Sequence, residues 1–284
     1  MPPDTAPLSA PASTPRKGGP RLRPALRRRE AGELLDETGH DPAELAGNLR
    51  DIRRVNRLAG GTRATLRELP RLLAAVPPER EATILDLATG SGDIPLAIAR
   101  WARRRGRAVR VVASDLSEEI LADAARLLAD CPEVELARYD ARAVPLPDGS
   151  FDVVLCALAL HHFPPEEAVA TLREMDRLGR YGFVLNDIRR GMPGFLAAWV
   201  SSRVGTRNRL TRHDMPLSVL RAYTPAELRE LLARAGVAEA RVATHPLFRM
   251  TAVRRGRRSE VGGRRSEVGA GRDGRLSEAE RTEL

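Results

Sequence analysis

Three acids and a pair of glycines stand at spacings that suit an adenosine-containing ligand. Asp86 precedes Gly90-Ser91-Gly92, Asp115 lies 23 residues beyond Gly92, and Asp140-Ala141 follows. Glycine lets a backbone turn tightly and approach a ligand, and an acid at the second position can accept hydrogen bonds from both ribose hydroxyls. Strands often end in aspartate, so each feature alone is weak; their order and spacing carry the signal. Adjacent His161 and His162, and His213 beside Asp214, offer the side chain whose ordinary pKa of about 6.5 suits removal of a proton from a phenol or enol. A histidine beside Phe163-Pro-Pro165 serves equally well to bond a loop carbonyl.

Other chemistries find less support. The third glycine of a dinucleotide fingerprint is replaced by Pro95, and Asp93 at the start of the following helix would repel a pyrophosphate. There is no Gly-x-Ser-x-Gly nucleophile turn. No histidine, cysteine or aspartate cluster has metal-ligand spacing, so no metal is expected.

The elements that must position these residues alternate. Ala82 to Leu87 reads as a buried strand, followed by a helix from about Asp93 to Arg104. Strands at Ala108–Asp115, Val134–Asp140, Ser150–Leu158 and Tyr181–Asp187 follow, with helices at Ser117–Leu128 and Pro165–Leu178. Strand and helix in alternation imply right-handed crossovers and a parallel sheet covered on both faces. Tyr223-Thr-Pro-Ala-Glu227 reads as a capping box opening a helix that stops at Gly236, before a terminal strand pair at Val237–Ala243 and Leu247–Val253. The expected fold is α/β: a doubly wound, seven-stranded, mostly parallel Rossmann-like sheet with helical lid segments.

Residues 30–79 read as an N-terminal helical lid. Asp41-Pro42-Ala43-Glu44 opens its first helix, Gly60-Gly61-Thr62 breaks it, and Pro70 must kink or restart the second. The arginine-rich stretch Asn48–Arg57 suits a solvated helix face better than substrate contacts. Residues 80–253 form the main domain, interrupted at 188–222 by a stretch that fits no strand-helix repeat. Within it, Phe195–Val200 reads as core more readily than as a ligand wall. Asn186 and Asp187, ending the fifth strand, could bond a substrate or cap the next loop.

The formal charge of +9 resides in the ends of the chain: residues 1–29 carry +6 and 254–284 carry +3, leaving 30–253 neutral. Nucleic acid is therefore an unlikely partner of the folded part. Residues 1–29 are rich in Pro and Ala and are expected to be disordered, as is 254–284, where Gly256–Gly262 recurs as Gly263–Gly269. No apolar run approaches the roughly 20 residues of a membrane span, and no signal peptide is evident. With Cys131 and Cys156 unpaired, a reducing cytoplasmic setting is expected.

Asp86-Leu-Ala-Thr-Gly-Ser-Gly-Asp93, Asp115, Asp140-Ala141 and Phe151-Asp-Val-Val-Leu155 together resemble the successive motifs of class I S-adenosylmethionine-dependent methyltransferases. The first motif is especially similar to the quinone-biosynthesis branch. Asn48–Arg57, Asn186–Arg190 and Leu210–Asp214 resemble bacterial methyltransferases associated with type III polyketide synthases, which act on phenolic lipids. The resemblance implies S-adenosyl-L-methionine as cofactor. Gly90, Gly92 and the backbone of Ala157 would lie along its methionyl part, with Asp86 near its amino group and Asp115 on its ribose. Asp140 and Ala141 would flank the adenine, with Ala88 and Leu116 completing the site. His161, His162 or His213 would act as base.

The implied function is O-methylation of a phenolic or polyketide-type small molecule. C-methylation of a quinone precursor, a nucleic-acid methyltransferase using the basic tails, and a non-enzymatic scaffold are the alternatives. The Asn/Asp-Pro-Pro-Tyr/Phe mark of base-amine methylation is absent from Cys156–Phe163.

Overall fold

The protein is described by a computed structural model covering residues 26–256. The first 25 residues lie outside it, as do residues 257–284, which hold all of the heptapeptide repeat except Gly256.

Seven strands form one sheet in the order β3-β2-β1-β4-β5-β7-β6. β1 (Ala82–Leu87), β2 (Val109–Asp115), β3 (Val134–Arg138), β4 (Val153–Ala157) and β5 (Gly182–Ile188) are parallel; β7 (Arg249–Arg255) runs antiparallel to β5 and to β6 (Arg241–His245). The order reverses between β1 and β4. In such sheets ligands bind at the carboxyl ends of the strands beside that switch point. β1 and β4 are central, and Ile84, Leu85, Leu87, Val153, Val154 and Leu155 are fully buried. Such continuous apolar runs form strands covered on both faces.

α3 (Asp93–Arg104), packed with α2 (Gly61–Leu73), covers one face; α5 (Pro165–Leu178) and α8 (Pro225–Ala235) cover the other. The local signals hold where they were strongest. Thr224 and Glu227 form the reciprocal capping box of α8, which ends at Gly236 in the left-handed region, and Ser117 caps α4 (Glu118–Leu128). Asp41 caps α1 (Pro42–Leu58) by accepting from the Ala43 and Glu44 amides.

α2 runs through Pro70 as one helix, so of the expected kink or restart the restart does not occur. The stretch at 188–222 is two helices, α6 (Met192–Val204) and α7 (Arg209–Arg221), packed on each other. Phe195–Val200 is not core: Leu196, Trp199 and Val200 are about half exposed. Residues 26–29 belong to the folded body. The Arg28 guanidinium donates to the carbonyls of Phe163, His161 and Arg221 and stacks on Tyr223, and the Leu26 carbonyl accepts from Arg190.

Gly90 (φ +55°) and Gly92 (φ +76°) both need left-handed backbone, for different reasons. A Cβ on Gly92 would come within 2.8 Å of the Leu128 side chain on α4, whereas one on Gly90 would meet open space. Gly92→Ala should therefore destabilise the fold by about 2 kcal/mol or more, from the backbone conformation plus the clash. Gly90→Ala should cost only about 1 kcal/mol yet obstruct whatever lies against the turn. Thermal melts and S-adenosylhomocysteine titrations of both variants check this separation.

Candidate active site

β1 delivers Asp86 into the interior, 1% exposed. Its Oδ2 accepts the Thr89 hydroxyl at 2.7 Å, while Oδ1 is buried without a hydrogen-bond partner among the described residues. Burial, then repulsion from Asp93 and Asp115, raises its pKa to about 7 against the Thr89 bond. A buried carboxylate oxygen left unsatisfied costs free energy unless a donor or cation meets it. Ala88, just beyond the strand, has φ +51°, and Leu158, just beyond β4, has φ +58°. These left-handed non-glycine residues mark the two strand ends at the switch point as strained, a feature that clusters at functional sites.

Asp115 ends β2. One oxygen accepts the Gly90 amide at 3.0 Å and the other the Ser117 amide at 3.1 Å. Burial raises its pKa and those amides oppose the rise. The acid thus orders the glycine turn. Leu116 beside it is half exposed, and Ala141 is buried. Asp140 is held by Arg142, whose guanidinium also reaches Glu167, and its pKa is lowered by that contact. A purine amine meeting Asp140 would share it with Arg142. Ala157 closes β4 and is partly buried. The glycine turn, the orphan Oδ1 of Asp86 and the ordered Asp115 fit S-adenosylmethionine: an open face, a partner for its ammonium and acceptors for its ribose.

A cavity of about 750 Å³ lies beyond the end of β4. α1 forms one wall through Asn48, Asp51, Ile52 and Val55, and α6 another through Gly194, Ala197, Ala198 and Ser201. The arginine-rich stretch Asn48–Arg57 therefore lines the cavity and is not merely a solvated face. Arg53 pairs with Asp123 at 2.9 Å, and Asn56 donates to Asp93 at 2.7 Å, tying α1 to the glycine turn. Burial raises the Asp93 pKa and the Asn56 bond opposes that.

The polar end of the cavity holds His161, His162 and Glu33. Asp187, at the end of β5, accepts from the His161 backbone at 3.0 Å and bonds its Nδ1 at 2.8 Å; Asp36 bonds His162 Nδ1 at 2.8 Å. A carboxylate on Nδ1 fixes that nitrogen as the protonated one and leaves Nε2 with its lone pair in the neutral ring. Both Nε2 atoms face Glu33, each 3.8 Å from one of its oxygens. Burial works against a charge on His162, but Glu33 and Asp36 outweigh it and raise its pKa to about 9. Asp36 is held well below the usual carboxylate range: its burial is outweighed by His162 and Arg221.

His213 does not join this group. It is about half exposed, bonded to Asp214 at 2.7 Å, while Asp214 itself accepts the Leu34 and Leu35 amides. Asn186 is turned away to α2, donating to the Gly61 carbonyl and Thr65. The linear spacing held no metal-ligand pattern, yet the fold assembles Glu33, His161 and His162 so that one ligand atom from each lies within 4.8 Å of the others. Glu33 was missed because composition alone says nothing of a segment that docks as an irregular strap. Arg249 was missed too: it is 2% exposed in the cavity wall, with Nε and Nη1 unpartnered among the described residues, and burial lowers its pKa to about 10.

Residues 84–182 match the family described as a methyltransferase domain. A ubiquinone/menaquinone biosynthesis C-methyltransferase of Rickettsia akari is 33% identical over 108 residues, covering 35% of this chain and 44% of the relative; that of Rickettsia bellii is 32% identical over the same extent. The chain thus spans less than half the length of the curated relatives it matches. Among solved structures, an S-adenosylmethionine-dependent methyltransferase from Aquifex aeolicus matches with a TM-score of 0.51 and 18% identity, over 76% of this chain and 98% of the other. The CurJ carbon methyltransferase matches at 0.55 and 14%, over 76% and 61%. At these identities the structural likeness shows the fold. Among the described residues no helix is long and apolar enough to cross a membrane.

Proposed function

We propose that this chain, whose residues 84–182 form a class I S-adenosylmethionine-dependent methyltransferase domain, methylates a hydroxylated aromatic small molecule with an apolar body. O-methylation of a phenolic lipid or polyketide-type acceptor is the leading reading. The observation that carries it is the cavity: largely apolar walls from α1 and α6, and at one end the Lewis-basic group of His161, His162 and Glu33.

When bound, the cofactor supplies an electrophilic methyl on a sulfonium. Asp86 and the glycine turn hold the methionyl end, Asp115 the ribose, and Asp140 with Ala141 the adenine. Methyl transfer is an in-line displacement, so positioning in a site closed to water provides most of the acceleration. The lid helices α1 and α6 exclude water and align the ring. His161, oriented by Asp187, draws the proton from the acceptor hydroxyl at Nε2, and the buried guanidinium of Arg249 favours the anionic oxygen that results.

C-methylation is a second reading, favoured by the C-methyltransferase relatives. A phenolate is nucleophilic at both its oxygen and its ortho carbons, so the same polar group serves either outcome. Incubation with methyl-labelled S-adenosylmethionine and an alkylresorcinol, beside a demethylated quinol, separates them. The expected product is the resorcinol methyl ether, identified by NMR. A ring-methylated quinol as the sole product would replace the O-methyl reading with the second one.

A further inference from the structure

The group at the polar end of the cavity has an electrostatic problem. With Nδ1 of His161 bonded to Asp187 and Nδ1 of His162 bonded to Asp36, both Nε2 atoms point at the Glu33 carboxylate, an arrangement completed either by a proton on a ring or by a cation held between them. Glu33 is 4% exposed, and its Oε1 is buried with no hydrogen-bond partner among the described residues. The nearest guanidinium atom, Nε of Arg221, is 3.9 Å from that oxygen, and Arg221 is engaged through its other nitrogens by Asp36 and the His162 carbonyl. Two buried Lewis bases, Glu33 and His161, with the partly buried His162 beside them, form a site suited to a cation.

We infer that Glu33, His161 and His162 bind a first-row divalent transition-metal ion at the polar end of the cavity. Two histidines and one carboxylate are a ligand set for Zn²⁺ or Fe²⁺ in sites that keep positions open for a further ligand. The outer nitrogens are already arranged for it. Metal-bound histidines donate their other N–H to a carboxylate, which fixes the ring and raises its basicity, and both rings here do so. The 3.8 Å separations are close to what is required, because ligands about 2.1 Å from a tetrahedral ion lie roughly 3.4 Å apart. The rings stand 4.4 Å apart, centroid to centroid, tilted by 38° to one another. Open positions of the ion would face the cavity, where they would take water or the acceptor's oxygen. That role rests on the function proposed above; the binding of the ion does not.

The test uses the full chain, stripped with a chelator and then titrated with Co²⁺ as a spectroscopic probe for Zn²⁺. One equivalent should bind and produce visible ligand-field absorption, and Zn²⁺ should displace it. Glu33→Gln and His162→Ala should weaken binding at least 100-fold, and Asp36→Asn about tenfold through the ring it orients. His245→Ala, on β6 outside the cavity lining, should leave metal binding unchanged. Circular dichroism and S-adenosylhomocysteine titration on the same samples distinguish the two claims. Folded protein that binds S-adenosylhomocysteine but takes up no more metal than Glu33→Gln would overturn the inference and assign the charge to a proton on His162. Metal binding without S-adenosylhomocysteine binding would leave the inference standing and remove the proposed function.

Discussion

Asp86→Asn should weaken S-adenosylhomocysteine about 100-fold while making the free protein more stable near neutral pH. Both effects arise from one buried oxygen. Asp86 Oδ1 has no partner among the described residues, so the ligand's ammonium would complete it, and removing one partner of a buried charge pair costs roughly 2 to 5 kcal/mol. Without ligand the charge is a liability. Its pKa in the folded protein, about 7, stands above the ordinary 3.8 because burial disfavours the ionised form. The folded state therefore holds this proton where the unfolded chain has released it, and the contribution to stability falls as pH rises from about 4 through 7. An amide removes that penalty. Ligand affinity in the wild-type protein should decline as pH drops below 7, because the carboxylate must be ionised to meet the ammonium. In Asp86→Asn that decline should vanish. Calorimetry between pH 5.5 and 8.5 on both proteins, with melts of each, provides the check; equal affinity in the two would remove Asp86 from the cofactor site.

Loss of the His161 ring should reduce turnover by 10² to 10⁴ without changing cofactor affinity by more than about twofold. His161 is 3% exposed, its ring is oriented by Asp187 from β5, and its Nε2 lies 3.8 Å from Glu33, which lines the same cavity. The same loss is expected whether that lone pair takes a proton from the acceptor or holds the inferred cation, because both act on the acceptor's hydroxyl. Asp187→Asn should produce a smaller loss, since an amide still occupies the position but no longer selects the ring tautomer. His213→Ala should have little effect on turnover, its ring being half exposed and engaged by Asp214. Steady-state rates with an alkylresorcinol, together with S-adenosylhomocysteine titrations of each variant, separate transfer from binding. A His161→Ala protein with wild-type turnover would remove the histidine from the chemistry.

What could be read from the sequence was what is decided locally. Buried strands announced themselves as short apolar runs, and the caps at Ser117 and Thr224 are hydrogen bonds between residues three apart. The glycine turn was legible for the same reason: its backbone conformation is intrinsic to Gly90 and Gly92. What escaped was decided by partners distant in the chain. α7 looked merely polar because much of its buried face is polar: Thr211 bonds Asn48 and Asp51 of α1, and Asp214 caps the strap at Leu34 and Leu35. Glu33 and Arg28 sat next to a tail-like composition, and only the docking of that segment against His161 and Tyr223 gives them a role. The apolar run in α6 told of something to be covered, but not that its small residues would line a cavity while Trp199 faced outward.

The most direct measurement is calorimetric titration of the full chain with S-adenosylhomocysteine at pH 7.5. One site per chain with micromolar or tighter affinity is the expected result, weakened by Asp86→Asn and Gly90→Ala. Folded protein that evolves no heat and shows no ligand-induced rise in melting temperature would contradict the assignment of the glycine turn, Asp86 and Asp115 to a methyl donor.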